Sequence, residues 1–266
     1  MALEKPGNYT LGRGQIFLAR NEEGGPANGF LYVGNTPALD LTVESETLDH
    51  FSSDAGINEL DARVILSVTR NGTFSMDDIQ PENLAIFVRG SAVVMNVDAA
   101  AGQTYDIESP VQDMYYQIGQ STGNPTGDLL VSGVTVNEKG SATLVAAATY
   151  DVNPKLGLIK FTTAPGKDVT VNYTRDAMTH TDADPHVRVT SGFDPVRGSM
   201  MFLENNPRGR SRRYLFTNVE ITANGAASLK GDEWRQMPMS YSVLKPEAED
   251  VQAVYIDNIP TGIKLT

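Results

Sequence analysis

The residues best suited to chemistry lie in the segment HTDADPH, which contains His180, Asp182, Asp184 and His186. Imidazole and carboxylate groups at alternate positions could share one face of a strand and bind a metal ion. Pro185 and the lack of β-branched residues predict a loop instead. A hard-cation loop also needs more oxygen ligands and a glycine turn at a defined spacing. The sequence therefore favours a solvated loop, and we expect no metal and no cofactor.

Enzyme motifs are missing from the sequence. The three histidines, His50, His180 and His186, have no G-x-S-x-G elbow beside them, and the chain has no cysteine nucleophile. GRGQ near the start lacks the glycine spacing of a dinucleotide site, and no P-loop occurs. Acidic pairs such as Asp77–Asp78 carry no specific signal in so acidic a chain. We predict that the protein is not an enzyme.

The charge balance limits the partners. The 266 residues carry a formal net charge of −12, whereas binding to nucleic-acid phosphates needs clustered cations. This balance argues against tight nucleic-acid binding, but not against a surface that nucleic acid passes without being held. The first residues, MALEKPGNYTLGRGQ, contain no apolar signal-peptide core, and no apolar run approaches the length of a membrane span. We expect a soluble protein, made inside a cell and not inserted into membranes.

Strand patterns dominate the chain, including Gln103–Ile107, Ala142–Thr149, Val169–Thr174 and Gln236–Leu244. The clearest helix is Gln80–Gly90, with Pro81 at its first position and Gly90 able to end it. This pattern predicts an all-β fold with one short helix, a sandwich or a barrel. We predict a single domain over residues 1–266, with residues 119–185 as a strand-rich elaboration and 246–266 as a C-terminal extension.

The segment Leu39–Val68 has an unusually long connection between two strands. Hairpin connections normally take two to five residues, but here polar sequence separates the alternating strands around Leu41 and Leu66. From Asp40 to Asp61 the charged residues are all acidic. Apolar residues recur along the connection, namely Leu48, Phe51, Ile57 and Leu60. We predict a long loop over 46–61 that docks against another surface.

One cationic cluster stands out, made of Arg208, Arg210, Arg212 and Arg213. It is too short for a convincing nucleic-acid patch, and the neighbouring Tyr214 and Phe216 alternate as in a strand. Two interpretations stay open. The cluster is either a solvated turn or a turn that meets the acidic loop of a neighbouring copy and orients association.

Five segments, taken in order, resemble the tail tube (major tail) proteins of long-tailed bacteriophages. They are LGRGQIFLAR, FLYVGNTPALDLTVESETLDHFSSDAG, QPENLAIFVRG, PKLGLIKFTTAPGKDVTVNYT and VEITANGAASLKGDEWRQMPMSYSVL, spread from Leu11 to Leu244. The tubes of contractile tails and of type VI secretion share this fold, so the fold alone does not identify the system.

The resemblance implies a twisted two-sheet β-sandwich with a flanking helix. Six subunits would form a hexameric ring lined by a continuous β-barrel, and the rings would stack into a tube around the tape-measure protein. Other partners would be the tail terminator and the tail-tip or baseplate proteins. Double-stranded DNA would later pass through the tube without tight binding. The protein would belong to the virion tail, assembled in the host cytoplasm.

The resemblance also assigns roles to residues. The inter-ring loop would comprise Leu48, Asp49, His50, Phe51, Asp54, Ile57, Glu59, Leu60 and Asp61. Candidate residues facing the tube lumen are Asp40, Thr42, Glu44, Glu220 and Thr222, where negative charge would repel DNA phosphates. The alternatives are a type VI tube-like protein and a tail-tip or decoration protein that binds a host surface glycan. The glycan reading would predict clustered exposed aromatic residues, whereas the only tryptophan, Trp234, lies in a predicted turn.

Overall fold

A computed structural model describes residues 9–21, 29–54, 56–179, 187–246 and 248–260. The first eight strands in the described residues are β1 (Gly14–Arg20), β2 (Leu31–Tyr32), β3 (Ala38–Ser52), β4 (Glu59–Met76), β5 (Ser91–Val94), β6 (Ala100–Ile107), β7 (Tyr115–Gln117) and β8 (Val131–Glu138). The other eight are β9 (Tyr150–Asn153), β10 (Leu158–Phe161), β11 (Val169–Arg175), β12 (Val187–Thr190), β13 (Val196–Glu204), β14 (Arg212–Ala223), β15 (Met237–Val243) and β16 (Val254–Asn258). The predicted all-β class is confirmed, because antiparallel strands dominate the described residues and a single α-helix accompanies them.

The predicted helix is confirmed as α1 (Pro81–Phe87), with Pro81 in its first turn. Its C-terminal end has the Schellman hydrogen bonds. The amide of Arg89 donates to the carbonyl of Ile86 at 3.2 Å, and the amide of Gly90 donates to Ala85 at 2.7 Å. Arg89, rather than the glycine, takes the left-handed conformation with φ 58°. Gly90 is needed for a different reason, because a Cβ there would lie 1.4 Å from the carbonyl oxygen of Thr190.

The chain divides into two compact units. One combines Met1–Ala92 with Val189–Thr266, and the other is Val93–Arg188. The segment 119–185, predicted as an elaboration, lies inside the second unit, which begins earlier in the chain and also contains β6 and β7. Strands β5 and β12 pair as a separate two-stranded sheet where the chain passes between the units.

The first unit is built on one eight-stranded sheet. Its strand order is β2-β1-β13-β14-β15-β4-β3, and β16 also pairs with β14. One face of the sheet and the helix bury a common core, in which the largest side chains are Tyr241, Phe74 and Phe216. The buried Asn83 of α1 donates hydrogen bonds to the carbonyls of Val33 and Asp78, at 2.8 and 2.9 Å, and so fixes the helix to the preceding chain.

The second unit has its own core between two three-stranded sheets, β6-β11-β8 and β7-β10-β9. The buried Asp128 accepts hydrogen bonds from Tyr173, Arg175 and Asn124 at 2.7, 3.3 and 3.1 Å. The strand predicted over Ala142–Thr149 is wrong. That segment holds an isolated bridge from Leu144 to Asn137 and a 3-10 turn at Ala147–Thr149, since its run of small alanines has little side chain to pack on a sheet.

The loop predicted over 46–61 is also wrong, because most of it is strand. β3 and β4 pair continuously from Ala38↔Ser75 to Ser52↔Glu59, leaving a connection over 53–58. The register shifts between Glu46 and Thr47 and again between His50 and Phe51. Each shift is a β-bulge that adds one residue to β4 and breaks the two-residue alternation that marks a strand. The Asn71-Gly72 pair, a dipeptide typical of tight turns, continues β4 without a register shift.

Candidate functional site

The hairpin of β3 and β4 extends beyond the rest of its sheet. β15 pairs with β4 only as far as Asn71, so from Thr69 to Glu59 the only strand partner of β4 among the described residues is β3. At about 3.3 Å per residue this free ribbon is roughly 30 Å long. Between Asp40 and Thr69, every described residue is exposed except the half-buried Asp49 and Ser52. A two-stranded ribbon exposed on both faces is only marginally stable alone.

One face of the sheet, opposite the core, is polar across four strands. Asp40, Thr73, Ser240 and Thr222 lie in one cross-strand row. The neighbouring row contains Thr42, Asn71, Ser242, Glu220 and Arg197. Glu44 and Glu46 continue the same face along β3, because side chains alternate between faces. The structure therefore brings the five candidate lumen residues, Asp40, Thr42, Glu44, Glu220 and Thr222, onto a single face, which we call the polar face.

Hydrogen bonds connect the side chains of the polar face. The Thr73 hydroxyl donates to Asp40 at 3.4 Å, and the hydroxyls of Thr222 and Ser240 are 2.9 Å apart. Arg197 pairs with Glu220 at 3.0 Å, so the cation in this row is already matched by an acid. The carboxylates of Glu44 and Glu46 therefore give the polar face a negative charge along the hairpin.

The opposite face of the ribbon, the apolar face, continues from the core. Leu39 packs against the core, and alternation places Leu41, Val43 and Phe51 on the same side of β3. Phe51 lies opposite Leu60 on β4, whereas Leu41 lies opposite Gly72 and Val43 opposite Arg70. Val43 and Phe51 are 60% and 53% exposed. Ser45, Thr47 and Asp49 lie between Val43 and Phe51 on this side of β3, so the exposed apolar residues form two groups, one at the base of the hairpin and one at its outer end.

The predicted inter-ring residues all lie in the outer half of the hairpin. Leu48, Asp49, His50 and Phe51 belong to β3, and Glu59, Leu60 and Asp61 belong to β4, while Asp54 and Ile57 lie in the connection between them. We call residues 51–60 the hairpin tip. Ile57 is its most exposed apolar residue, at 77%.

The acids of the hairpin have polar partners within it, of which Arg63 and Ser67 lie outside the predicted site. Arg63 lies opposite Asp49 and donates two hydrogen bonds to its carboxylate, at 2.6 and 2.9 Å. Chiefly through these hydrogen bonds, Arg63 lowers the pKa of Asp49 below its usual value. His50 Nδ1 lies 2.5 Å from the carboxylate of Asp61. The Glu46 carboxylate accepts a hydrogen bond from Ser67 at 3.3 Å.

A tyrosine anchors the base of the hairpin. The ring of Tyr241 packs over Gly72, directly opposite in the sheet, and its hydroxyl donates to the backbone carbonyl of Asp40 at 2.9 Å. A Cβ at Gly72 would lie 2.5 Å from the ring and 2.0 Å from that carbonyl oxygen. Burial, together with the negative charge of Asp40, raises the pKa of Tyr241 to about 12, so the phenol stays protonated and keeps donating.

Beside this base, the apolar face opens into a groove of about 620 Å³. We call it the aromatic groove. Its apolar lining consists of Leu39, Leu41, Phe202, Tyr214, Phe216 and Tyr241. Arg13 and Glu204 add polar groups, and the Glu204 carboxylate accepts hydrogen bonds from the Arg212 amide and the Asn206 side chain, at 2.8 and 3.0 Å. Sequence reasoning did not find this groove; the available signal was Gly14 and Gly72, strand glycines that lie under aromatic rings.

The predicted basic turn borders the aromatic groove. β14 and β4 run in the same direction through the sheet, so Arg212 and Glu59, at their starts, lie at the same end. Arg213 is ion-paired with Asp257. The side chains of Arg208 and Arg210 are exposed and make no ion pair with another described residue. The turn is attached to the groove by the hydrogen bonds of Glu204 and by the Leu11 amide, which donates to the carbonyl of Arg208 at 3.4 Å.

The remaining sequence features add no further site among the described residues. His180, Asp182, Asp184 and His186 lie outside the described residues, and no group of three acidic or histidine residues elsewhere in the described part is arranged to hold a metal ion. Trp234 is 92% exposed in the connection between β14 and β15, where Leu229 is the other strongly exposed apolar residue. No helix in the described part of the chain is both long and apolar enough to cross a membrane.

The fold and this surface define an all-β protein with a protruding amphipathic hairpin. Residues 9–184, about two thirds of the chain, match a family described as protein of unknown function UCP028589, and the chain belongs to that family. The matched region includes the hairpin, α1 and most of the second unit. No curated protein matches the chain.

Proposed function

We propose that this protein is the tail tube protein of a long-tailed bacteriophage. In this proposal, six copies join into a ring, rings stack into a hollow tube around the tape-measure protein, and genomic DNA later passes through the emptied channel. The subunit fold would be the twisted two-sheet β-sandwich with a flanking helix that the resemblance implies.

The observation that carries the proposal is the polar face, which continues from the sheet onto a long free edge strand as far as Glu46. β3 has 15 residues, and its one strand partner among the described residues is β4. Such an edge is a template for pairing with another chain, and natural monomers normally cover or interrupt it. If neighbouring subunits extended the sheet around a ring, the edge would disappear and the polar face would form one continuous wall.

The chemistry of the polar face suits the lining of a DNA channel. Hydroxyl and amide side chains of Thr42, Asn71 and Ser242 offer a hydrated surface, and Asp40 and Glu44 add negative charge. Arg197, the cation of the described rows, is ion-paired with Glu220. Phosphates would thus meet repulsion rather than the free cations whose neutralisation holds DNA in place.

The hairpin supports the assembly part of the proposal. An exposed ribbon with apolar residues on one side and pairs such as Asp49–Arg63 along it gains stability when a partner covers it. A contact between different patches on successive copies generates rings when the rotation closes and filaments when it does not. A tube needs both kinds of contact.

Negative-stain electron microscopy of the purified protein tests this function. We expect rings or tubes with a central hole, in amounts that rise with protein concentration. Light scattering after chromatography on the same samples supplies the mass of the assembled species. Monodisperse monomers at every protein and salt concentration would contradict the proposal.

A further inference from the structure

We infer that the aromatic groove receives the hairpin tip of a second copy of this chain. This inference rests on the proposed function and deepens it, because it names the surface on which one subunit holds the next.

The groove is lined by apolar side chains that the subunit itself leaves partly uncovered. At about 620 Å³ it falls within the roughly 300–1,000 Å³ of cavities that accept a small ligand, and it has room for several apolar side chains. Phe202, Tyr214 and Leu41 line it and are all partly exposed. Covering them would add apolar burial to the association of two copies.

The hairpin tip supplies the complementary apolar groups. Phe51, Ile57 and Leu60 are 53%, 77% and 47% exposed, and they surround one short connection. Isolated exposed apolar residues need no explanation. Three of them at the end of a projecting ribbon, however, form one apolar surface that complements the apolar lining of the groove.

Charges agree with this fit. Asp54 and Glu59 of the tip are exposed, and neither makes an ion pair with another described residue. Arg13 lines the groove, and the exposed Arg208 and Arg210 belong to the turn that is hydrogen-bonded to the lining residue Glu204. The acidic groups beside the apolar residues of the tip would face the basic groups beside the groove, and this complementarity fixes the orientation of docking.

The occupant must be another copy. Leu39 and Leu41 of the same hairpin line the groove, whereas Phe51 lies ten residues further along a paired strand. At about 3.3 Å per residue Phe51 lies roughly 33 Å along the paired strand from Leu41, so the hairpin cannot fold its tip back onto that wall of the groove. A contact between tip and groove joins two different patches, so it is head-to-tail and can continue from copy to copy.

Cysteine cross-linking tests this contact directly, because the natural chain contains no cysteine. Ile57→Cys protein is mixed with Thr36→Cys protein, since Thr36 lines the groove. Dissolved oxygen with a copper catalyst oxidises the two thiols to a disulfide. The matched control replaces Thr36→Cys with Leu144→Cys, a 67% exposed position in the second unit. We expect at least tenfold more disulfide-linked dimer with Thr36→Cys than with the control, on non-reducing gels and by mass spectrometry of the linked peptides.

The outcomes separate this inference from the proposed function. Rings or tubes that form normally without the Ile57–Thr36 cross-link would overturn the docking inference alone, and would leave residues 1–8 or another protein as the occupant of the groove. Wild-type protein that neither assembles nor cross-links under any condition would contradict both. Far-UV circular dichroism of each variant establishes that the subunit is folded.

Discussion

Arg63 holds both carboxylate oxygens of Asp49 from the directly opposite position on the neighbouring strand. This fork lies in the part of the hairpin that has no third strand, between the two β-bulges. The backbone ladder is interrupted on both sides of it, because the register shifts at Glu46/Thr47 and again at His50/Phe51. A charged side-chain pair with fixed geometry therefore keeps the outer ribbon in register.

Replacing Arg63 with Ala should loosen the outer hairpin without unfolding the subunit. Amide hydrogen exchange over residues 47–64 should become at least several-fold faster, while the midpoint of thermal unfolding changes little, because the pair is solvent-exposed. Arg63→Lys is the matched control, since it keeps the charge but loses the two-pronged geometry, and it should give an intermediate rate. Unchanged exchange in Arg63→Ala would show that the pair does not order the ribbon.

Acidification should release the same segment. Arg63 lowers the pKa of Asp49 below its ordinary value of 3.8, so the pair's contribution to folding is complete above that pH and is lost as the pH falls through the lowered pKa. Exchange of residues 47–64 is compared with that of β11 in the same sample. The protection of residues 47–64 should thus persist at about pH 4.5 and fall on further acidification. The pH dependence should be weaker in Arg63→Ala, and an identical profile in both proteins would contradict the assignment.

Gly72→Ala should destabilise the first unit, because the new methyl group would collide with the Tyr241 ring and the Asp40 carbonyl. Overpacking of this kind costs about 1–3 kcal/mol, measurable by urea unfolding. Gly56→Ala is the control, since nothing lies within 4 Å of a Cβ at that position. Equal stability of the two variants would mean that the ring can move away from Gly72 freely.

Positive charge on the polar face should make assembled tubes retain DNA. In Glu44→Lys/Glu46→Lys tubes, double-stranded DNA should bind at about 50 mM salt and be released by about 200 mM, whereas wild-type tubes should not retain it at either concentration. Asp98→Lys/Asp151→Lys, which replaces two exposed acids of the second unit, is the control with the same change in net charge. Retention by the control tubes as well would argue against a lining role for the polar face.

Much of the fold follows from local sequence. Pro81 and Gly90 mark the helix, and the polar alternation of Asp40, Thr42 and Glu44 marks one face of β3. The bulges were not predictable, because a single inserted residue removes the periodic signal that identifies a strand. Arg63 was missed for the same reason, since its partner depends on a shifted register.

The aromatic groove could not be predicted from local patterns. Leu41, Phe202 and Tyr241 come from distant parts of the chain and meet only through the strand order of the sheet. In contrast, the candidate lumen residues follow from the alternation of side chains along each strand, once the strands are known. Asp40, Glu220 and Thr222 accordingly share one face, as the sequence analysis grouped them.

The two bulges of β4 bear on how this hairpin can change length. In a regular strand, deleting or inserting one residue exchanges the two faces for every position beyond it, which would turn acids toward the apolar side. At the Glu46/Thr47 and His50/Phe51 shifts, one extra residue in β4 is absorbed locally, and the strands resume pairing beyond each shift. These two sites are therefore where homologous hairpins can gain or lose single residues, whereas changes elsewhere in β3 and β4 should occur in pairs.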